Sequence, residues 1–285
     1  MSAEFAFLEI TYDSKCPGYD VEYNLRNLGF TKIAYNSSAD VSVWKVNLNI
    51  IFLKQANIGT QPSITGLGFV CDQLLINKME AGYDSDSDFY FTHDPNGLKV
   101  YMVPSIAFNA NQSVLSDRYI LLDDIVTSYN EILPKYISGV SYSDFSEDLV
   151  KFYQDLGFRI TRSGNTYHNC VSANNRFTIM LNSFGSTKRI DSVICETDDV
   201  FNTTAYYVNK DVPLKKYNTK PTNFKKLNYK IAGYNCIASG NENSYSIENS
   251  INSISELFNV IFRMRKQHLH IEEHTLKEHL DEQFN

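Results

Sequence analysis

Three groups of residues in this chain have the types and spacing to do chemistry. In "HLHIEEHTLKEHL", His270, Glu273 and His274 follow the pattern H-x-x-E-H. Two histidines one helical turn apart can grip zinc from one helix face. In "NTYHNCV", His168 and Cys170 alternate onto one face of an expected strand, where an imidazole could serve a thiol or a metal. In "RIDSVICETDD", a buried strand carries Ser192, Ile194 and Glu196 on one face and runs into the acid pair Asp198-Asp199. Each group also has a plainer reading. Glutamates and lysines surround His270 and His274 as on a solvated helix, and His168 suits a satisfied or exposed strand position. Asp198 or Asp199 suits the N-cap of the helix that follows. His93, in "THDPNG", reads as a turn residue. No G-x-G-x-x-G, P-loop or G-x-S-x-G is present.

Composition narrows the function classes. Of the 285 residues, 43% are hydrophobic and 21% charged, the balance of a globular chain with a real core. A net charge of −7 with scattered basic residues argues against nucleic acid or an anionic membrane as partner. No apolar run reaches the length of a membrane span. The start, "MSAEFAFLEITYD", lacks the basic n-region and apolar core of a signal peptide. The five cysteines are widely spaced without a C-x-x-C, which fits reduced, buried thiols and a cytoplasmic location.

The elements that must position any site come as a repeat. "NLRNLGFTKIAY" in the first half answers "FYQDLGFRITRS" in the second, and "LNIIFL" answers "FTIMLN" at the same offset. "GLGFVCDQ" and "FLEITYD" answer "SVICETDD" and "ISGVSYS" at nearly that offset. Four landmarks in one order indicate two homologous halves joined near residues 125–135. Alternating patterns mark strands, "YDVEYNLRNLG", "QLLINKMEAGY" and "EDLVKFYQDLG" mark helices, and "PNG" marks a hairpin. The expected organisation is a first half over 1–125, a second over 126–252, and a long helix near Ser253–Asp281 with a tail, within 253–285.

These stretches in this order resemble the vicinal oxygen chelate superfamily, and more closely the 4-hydroxyphenylpyruvate dioxygenases. The resemblance implies an α+β fold of two halves, each of two βαβββ modules curled into an open sheet around a cleft, plus the C-terminal helix. In that family two histidines and a glutamate of the second half hold Fe(II), leaving positions open for a 2-oxo acid and oxygen. Carried over, the first histidine falls at Gly139 or Ser138, the second at Ser192, and the glutamate at Glu248 in "YSIENS". In the first half the corresponding positions hold Glu9 and Gly66. Glu9 is expected to hydrogen-bond inside the barrel or at the module interface rather than bind metal.

The leading expectation is thus a dioxygenase-like protein without the catalytic iron and without another cofactor. It would bind a small aromatic or acidic molecule through Gly139, Ser141, Ser192, Ile194, Glu196 and Glu248, with His168 as a further contact. A second reading keeps a metal enzyme, with Fe(II) held by a relocated set such as His168, Glu196 and Glu248. A third is an interaction protein or homodimer that docks through the C-terminal helix.

Overall fold

A computed structural model describes residues 3–13, 21–56, 63–85, 87–105, 118–122, 129–183, 190–197, 200–210, 215–216, 225–231, 234–240 and 261–266. Each half is a nine-stranded mixed sheet. The first holds β1 (Glu4–Tyr12), β2 (Thr31–Asn36), β3 (Val41–Val46), β4 (Asn49–Gln55), β5 (Ser63–Cys71), β6 (Gly82–Asp84), β7 (Phe89–His93), β8 (Lys99–Pro104) and β9 (Ile120–Leu121). The second holds β10 (Tyr136–Tyr142), β11 (Arg159–Gly164), β12 (Tyr167–Val171), β13 (Thr178–Asn182), β14 (Ile190–Thr197), β15 (Lys215–Lys216), β16 (Lys225–Ile231), β17 (Tyr234–Gly240) and β18 (Ile261–Lys266). Among the described residues four helices cross between strands: α1 (Val21–Asn27), α2 (Gln73–Lys78), α3 (Glu147–Asp155) and α4 (Val200–Asn209).

The first sheet runs β6-β7-β8-β5-β1-β4-β3-β2-β9, and the second β11-β12-β13-β10-β14-β18-β17-β16-β15. With β9 and β15 set aside, both are two βαβββ modules joined along their first strands. β1 pairs antiparallel with β5, as β10 does with β14. This is the α+β, two-half architecture expected from the repeat.

The repeated Leu-Gly-Phe has a physical cause. Gly29 and Gly157 close α1 and α3 with φ of 88° and 96°, a left-handed conformation that glycine adopts without a Cβ penalty. Phe30 N–H then donates to Leu25 C=O, and Phe158 N–H to Tyr153 C=O, both at 2.9 Å. Leu28, Phe30, Leu156 and Phe158 are all buried. At the other end of α3, Ser146 Oγ accepts from Leu149 N–H at 3.2 Å, and Glu147 and Asp148 meet the positive helix end. Asp72 caps α2 in the same way.

One apolar core runs through both halves on the helix side of the sheets. Phe177 on the β13 side stacks on Phe5 of β1 at 4.3 Å. Asn47 Nδ2 donates to the carbonyls of Asn130, Leu133 and Pro134, which ties the segment between the halves to the first sheet. A second cluster lies on the opposite face of the first sheet, built on Phe7, Phe52, Phe89, Tyr101 and Tyr119.

Three readings of the sequence need correction. "NYKIAGYNCIAS" is not one strand but the hairpin β16–β17. The helix expected near Ser253–Asp281 does not occupy residues 261–266, which form β18, parallel to β14 and β17. In "IFRMRK" apolar and basic residues alternate, a strand's period of two; the module also lacks its last strand without it. The second half therefore extends beyond residue 252. The remainder of that segment, with "YSIENS", Glu248, Asp198, Asp199 and the His270–His274 pattern, lies outside the described residues. Finally, α2 stops at Lys78, short of the expected "QLLINKMEAGY", because Gly82 already opens β6.

Cys71, Cys170 and Cys195 are buried. Burial pushes the Cys71 thiol up to about 12, with the charge of Asp72 adding to it, and burial pushes Cys170 up to about 11. Such thiols are poor nucleophiles. Alkylation of the native protein at neutral pH, mapped by mass spectrometry, is expected to spare both and to label them only after denaturation.

Candidate functional site

The two sheets share their irregularities, and these fix which positions correspond. Between β1 and β5 the register shifts after Phe5↔Phe69 and again after Glu9↔Gly66. Between β10 and β14 it shifts after Ile137↔Cys195 and again after Ser141↔Ser192. Glu9 therefore corresponds to Ser141, two residues beyond Gly139, and Gly66 corresponds to Ser192 as the sequence suggested. Space agrees with this. A Cβ on Gly139 would stand 2.3 Å from the Thr178 carbonyl oxygen, so no histidine fits there. Ser138 is buried at the irregularity, its Oγ 3.4 Å from the Ile194 carbonyl.

The third position follows from the parallel strands. Gly66 is level with Lys99 of β8, and Ser192 is level with Ile261 of β18. Tyr101, which lies over Gly66, thus corresponds to Arg263 rather than to a residue of "YSIENS". The matched positions around this register are Glu9, Gly66 and Tyr101 in the first half, and Ser141, Ser192 and Arg263 in the second. A serine hydroxyl is a poor ligand for divalent iron, and a guanidinium has only donors to offer. These residues do not fit an iron ion. Among the described residues no group of three His, Cys, Asp or Glu could hold a metal.

On the second sheet, Ser141 is fully buried and accepts a hydrogen bond from Asn182 Nδ2 at 2.8 Å. Val193 and Cys195 face the common core, so strand alternation sets Ile194 and Glu196, both buried, on the face of Ser141. His168 lies on the other face. It shares its side with Cys170 and Leu181, and its ring meets Phe145 edge-on at 4.8 Å. The structure thus brings Ser141, Ile194 and Glu196 to one face and separates His168 from them. The relocated metal set of His168 with Glu196 does not converge.

Among the described residues a small pocket lies in the first half, on the face of the first sheet turned away from the helices. The space it encloses is about 20 Å³, room for little more than one water molecule. Glu9, only 8% exposed, stands at its floor. Tyr101 Oη donates to Glu9 Oε2 at 2.6 Å, and Thr65 Oγ1 donates to Oε1 at 2.8 Å. Burial, then the neighbouring Glu9 charge, pushes the hydroxyls of Tyr101 and Tyr119 far above the usual phenol range, so both remain donors. Glu9 hydrogen-bonds inside the sheet, as its sequence context suggested. The pocket around it was missed, although "FAFLEIT" carried a signal: a carboxylate on the same strand face as Phe7.

No protein-family model matches the sequence, and no curated protein matches it. Solved structures do match in fold. A xylose isomerase-like TIM barrel/4-hydroxyphenylpyruvate dioxygenase fusion protein aligns at TM-score 0.64 and 14% identity, over 90% of this chain and 52% of that one. This chain therefore spans about half of that protein. A mutant of 4-hydroxymandelate synthase from Streptomyces coelicolor aligns at TM-score 0.58 and 14% identity, over 76% of this chain and 77% of the other. A catechol 2,3-dioxygenase aligns at TM-score 0.58 and 12% identity, over 88% and 96%. The two sheets of paired βαβββ modules are thus the vicinal oxygen chelate fold, shared with these dioxygenase structures at the level of architecture.

Proposed function

We propose that this protein keeps a dioxygenase architecture without the iron centre and uses the second half to bind a small organic molecule. The observation that carries this reading is the identity of three residues. Ser192 stands where the resemblance implies a histidine, and the strand register sets Ser141 and Arg263 on the strands to either side of it. Two hydroxyls and a guanidinium suit recognition of a carboxylate or phenol, which they bind by hydrogen bonds and charge. They offer nothing to an oxygen-activating metal. Ser141, Asn182 and Glu196 form the polar floor of the site, and Ile194 supplies apolar contact.

The test uses 4-hydroxyphenylpyruvate as probe. Oxygen uptake with added Fe(II) is expected to stay at the rate without protein. Calorimetric titration without metal is expected to give binding, and Ser141→Ala or Ser192→Ala to weaken it by about 1 kcal/mol for one net hydrogen bond. Protein-dependent oxygen uptake, absence of binding, or unchanged affinity in both serine variants contradicts the proposal.

A further inference from the structure

One module of the second half carries a charge that the rest of the chain does not share. β15, β16, β17 and β18 together hold eight basic residues and no acidic one. The whole chain has 26 basic and 33 acidic residues. Outside these four strands 18 basic residues therefore stand against 33 acidic ones, a net of −15.

The strand register gathers most of these residues on one face, because level residues of paired strands share a face. Ser192 of β14 is level with Ile261 of β18, and the period of two adds Arg263 and Arg265. Asn235 and Ser239 of β17 are level with Ile261 and Arg265, and Lys230 and Lys226 of β16 are level with Asn235 and Ser239. Lys215 of β15 joins them through Asn228. Five of the eight basic residues thus stand on the face of Ser141 and Ser192. Glu196 of β14 is level with Arg265. The matching module of the first half sets Lys99 and Asp84 on its corresponding face and pairs them, so those charges cancel.

Like charges on neighbouring strands repel one another, a cost that a bound polyanion removes. Alternate strands of a sheet stand about 10 Å apart, so Lys226 of β16 and Arg265 of β18 are near enough to share one ligand with several anionic groups. The aromatic residues of these strands, Tyr229, Tyr234 and Phe262, fall on the opposite face. This face therefore suits phosphate charge rather than the stacking of nucleic-acid bases. The acidic remainder of the chain also repels a long polyanion that runs beyond the module. We infer that this face binds a short oligophosphate of the tripolyphosphate type, free or carried on a nucleotide. Lysine and arginine meet such groups by charge-assisted hydrogen bonds. The site shares Arg263 with the floor described above, yet it does not rest on the absence of iron.

The test is calorimetric titration of the full chain at low ionic strength with tripolyphosphate, beside orthophosphate, adenosine triphosphate and a single-stranded oligodeoxythymidine. Tripolyphosphate is expected to bind one per chain, and about tenfold or more tightly than orthophosphate. Lys226→Ala combined with Lys230→Ala is expected to lose about tenfold in affinity, whereas Lys226→Arg with Lys230→Arg keeps it. Lys45→Ala with Lys151→Ala, which removes the same charge at partly and fully exposed positions elsewhere, is expected to leave the affinity unchanged. Thermal unfolding checks each fold, and Lys226→Gln with Lys230→Gln decides the matter if the alanine variant unfolds. Adenosine triphosphate binding no more tightly than tripolyphosphate assigns the site to the phosphate chain alone, and tighter binding assigns it to a nucleotide; both support the inference. Four results overturn it: no binding of tripolyphosphate, unchanged affinity in the Lys226 and Lys230 variants, an equal loss in the Lys45 and Lys151 variant, or tighter binding of the oligodeoxythymidine. The titration contains no 4-hydroxyphenylpyruvate, so its outcome is read apart from that of the proposed function.

Discussion

Asp94→Ala is expected to destabilise the protein by about 3 kcal/mol, because it strips a buried carboxylate from four donors at once. Asp94, 3% exposed, closes the β7–β8 hairpin by accepting from the N–H groups of Asn96 and Leu98, both at 2.9 Å. Its other oxygen accepts from the hydroxyls of Tyr142 at 2.8 Å and Tyr153 at 3.2 Å. Those tyrosines belong to β10 and α3 of the second half and are buried. One carboxylate thus shapes a turn in one half and anchors two hydroxyls of the other. Urea unfolding measures the loss, and a change below about 1 kcal/mol contradicts this role.

The same group gives a pH signature. Burial raises the Asp94 carboxyl above its ordinary 3.8, against the hydrogen bonds that lower it. The folded protein then holds that proton to higher pH than the unfolded chain. The group's titration therefore removes stability as pH rises from 3.8 through the folded value. Asparagine does not titrate, so the deficit of Asp94→Asn relative to wild type is expected to shrink from acid to neutral pH. A deficit that grows over that interval contradicts the sign.

The other large effect falls on the seam between the sheets. Phe177 is 1% exposed and stacks on Phe5 with an interplanar angle of 6°. It also meets Phe69 edge-on at 5.7 Å and Phe158 at 6.4 Å. Phe5 and Phe69 belong to the first half, and Phe158 to the second. Truncation to alanine leaves a cavity between rigid sheets that cannot both collapse into it, at a cost of about 3–5 kcal/mol. Unfolding of Phe177→Ala by urea is expected to shift accordingly, whereas Phe177→Leu should recover much of the loss. Equal stability of the alanine variant and wild type would mean that the halves do not depend on this contact.

The repeat was legible because it rests on local physics. Leu-Gly-Phe recurs since a helix must end on a left-handed glycine and return two apolar residues to the core, and that requirement is written in three adjacent residues. Register is not local. Shared irregularities place Ser141 opposite Ser192, and a strand pairing two residues out of step leaves the same alternation in sequence, so the sequence set Gly139 rather than Ser141 against Glu9. The last strand misled for a related reason. Ile261 and Phe262 extend a helical stripe from Ile254, Leu257 and Phe258, and only the alternation of Arg263 and Arg265 with Met264 marks the strand. His168 alternates with Cys170 as expected, but one sequence does not say which of two sheet faces meets the helices. The first-half pocket was hidden because Glu9, Lys54, Ser87 and Tyr119 lie on four separate segments.

The proposal that the iron centre has been replaced turns on Ser141, Ser192 and Arg263, and one measurement bears on it most directly. Untagged protein, expressed with iron, manganese and zinc in the medium and purified without chelator, is analysed for metal by mass spectrometry. Iron, manganese and zinc are each expected well below one per chain and to wash out on gel filtration. One tightly held iron per chain would contradict the replacement and require a ligand set other than these three positions.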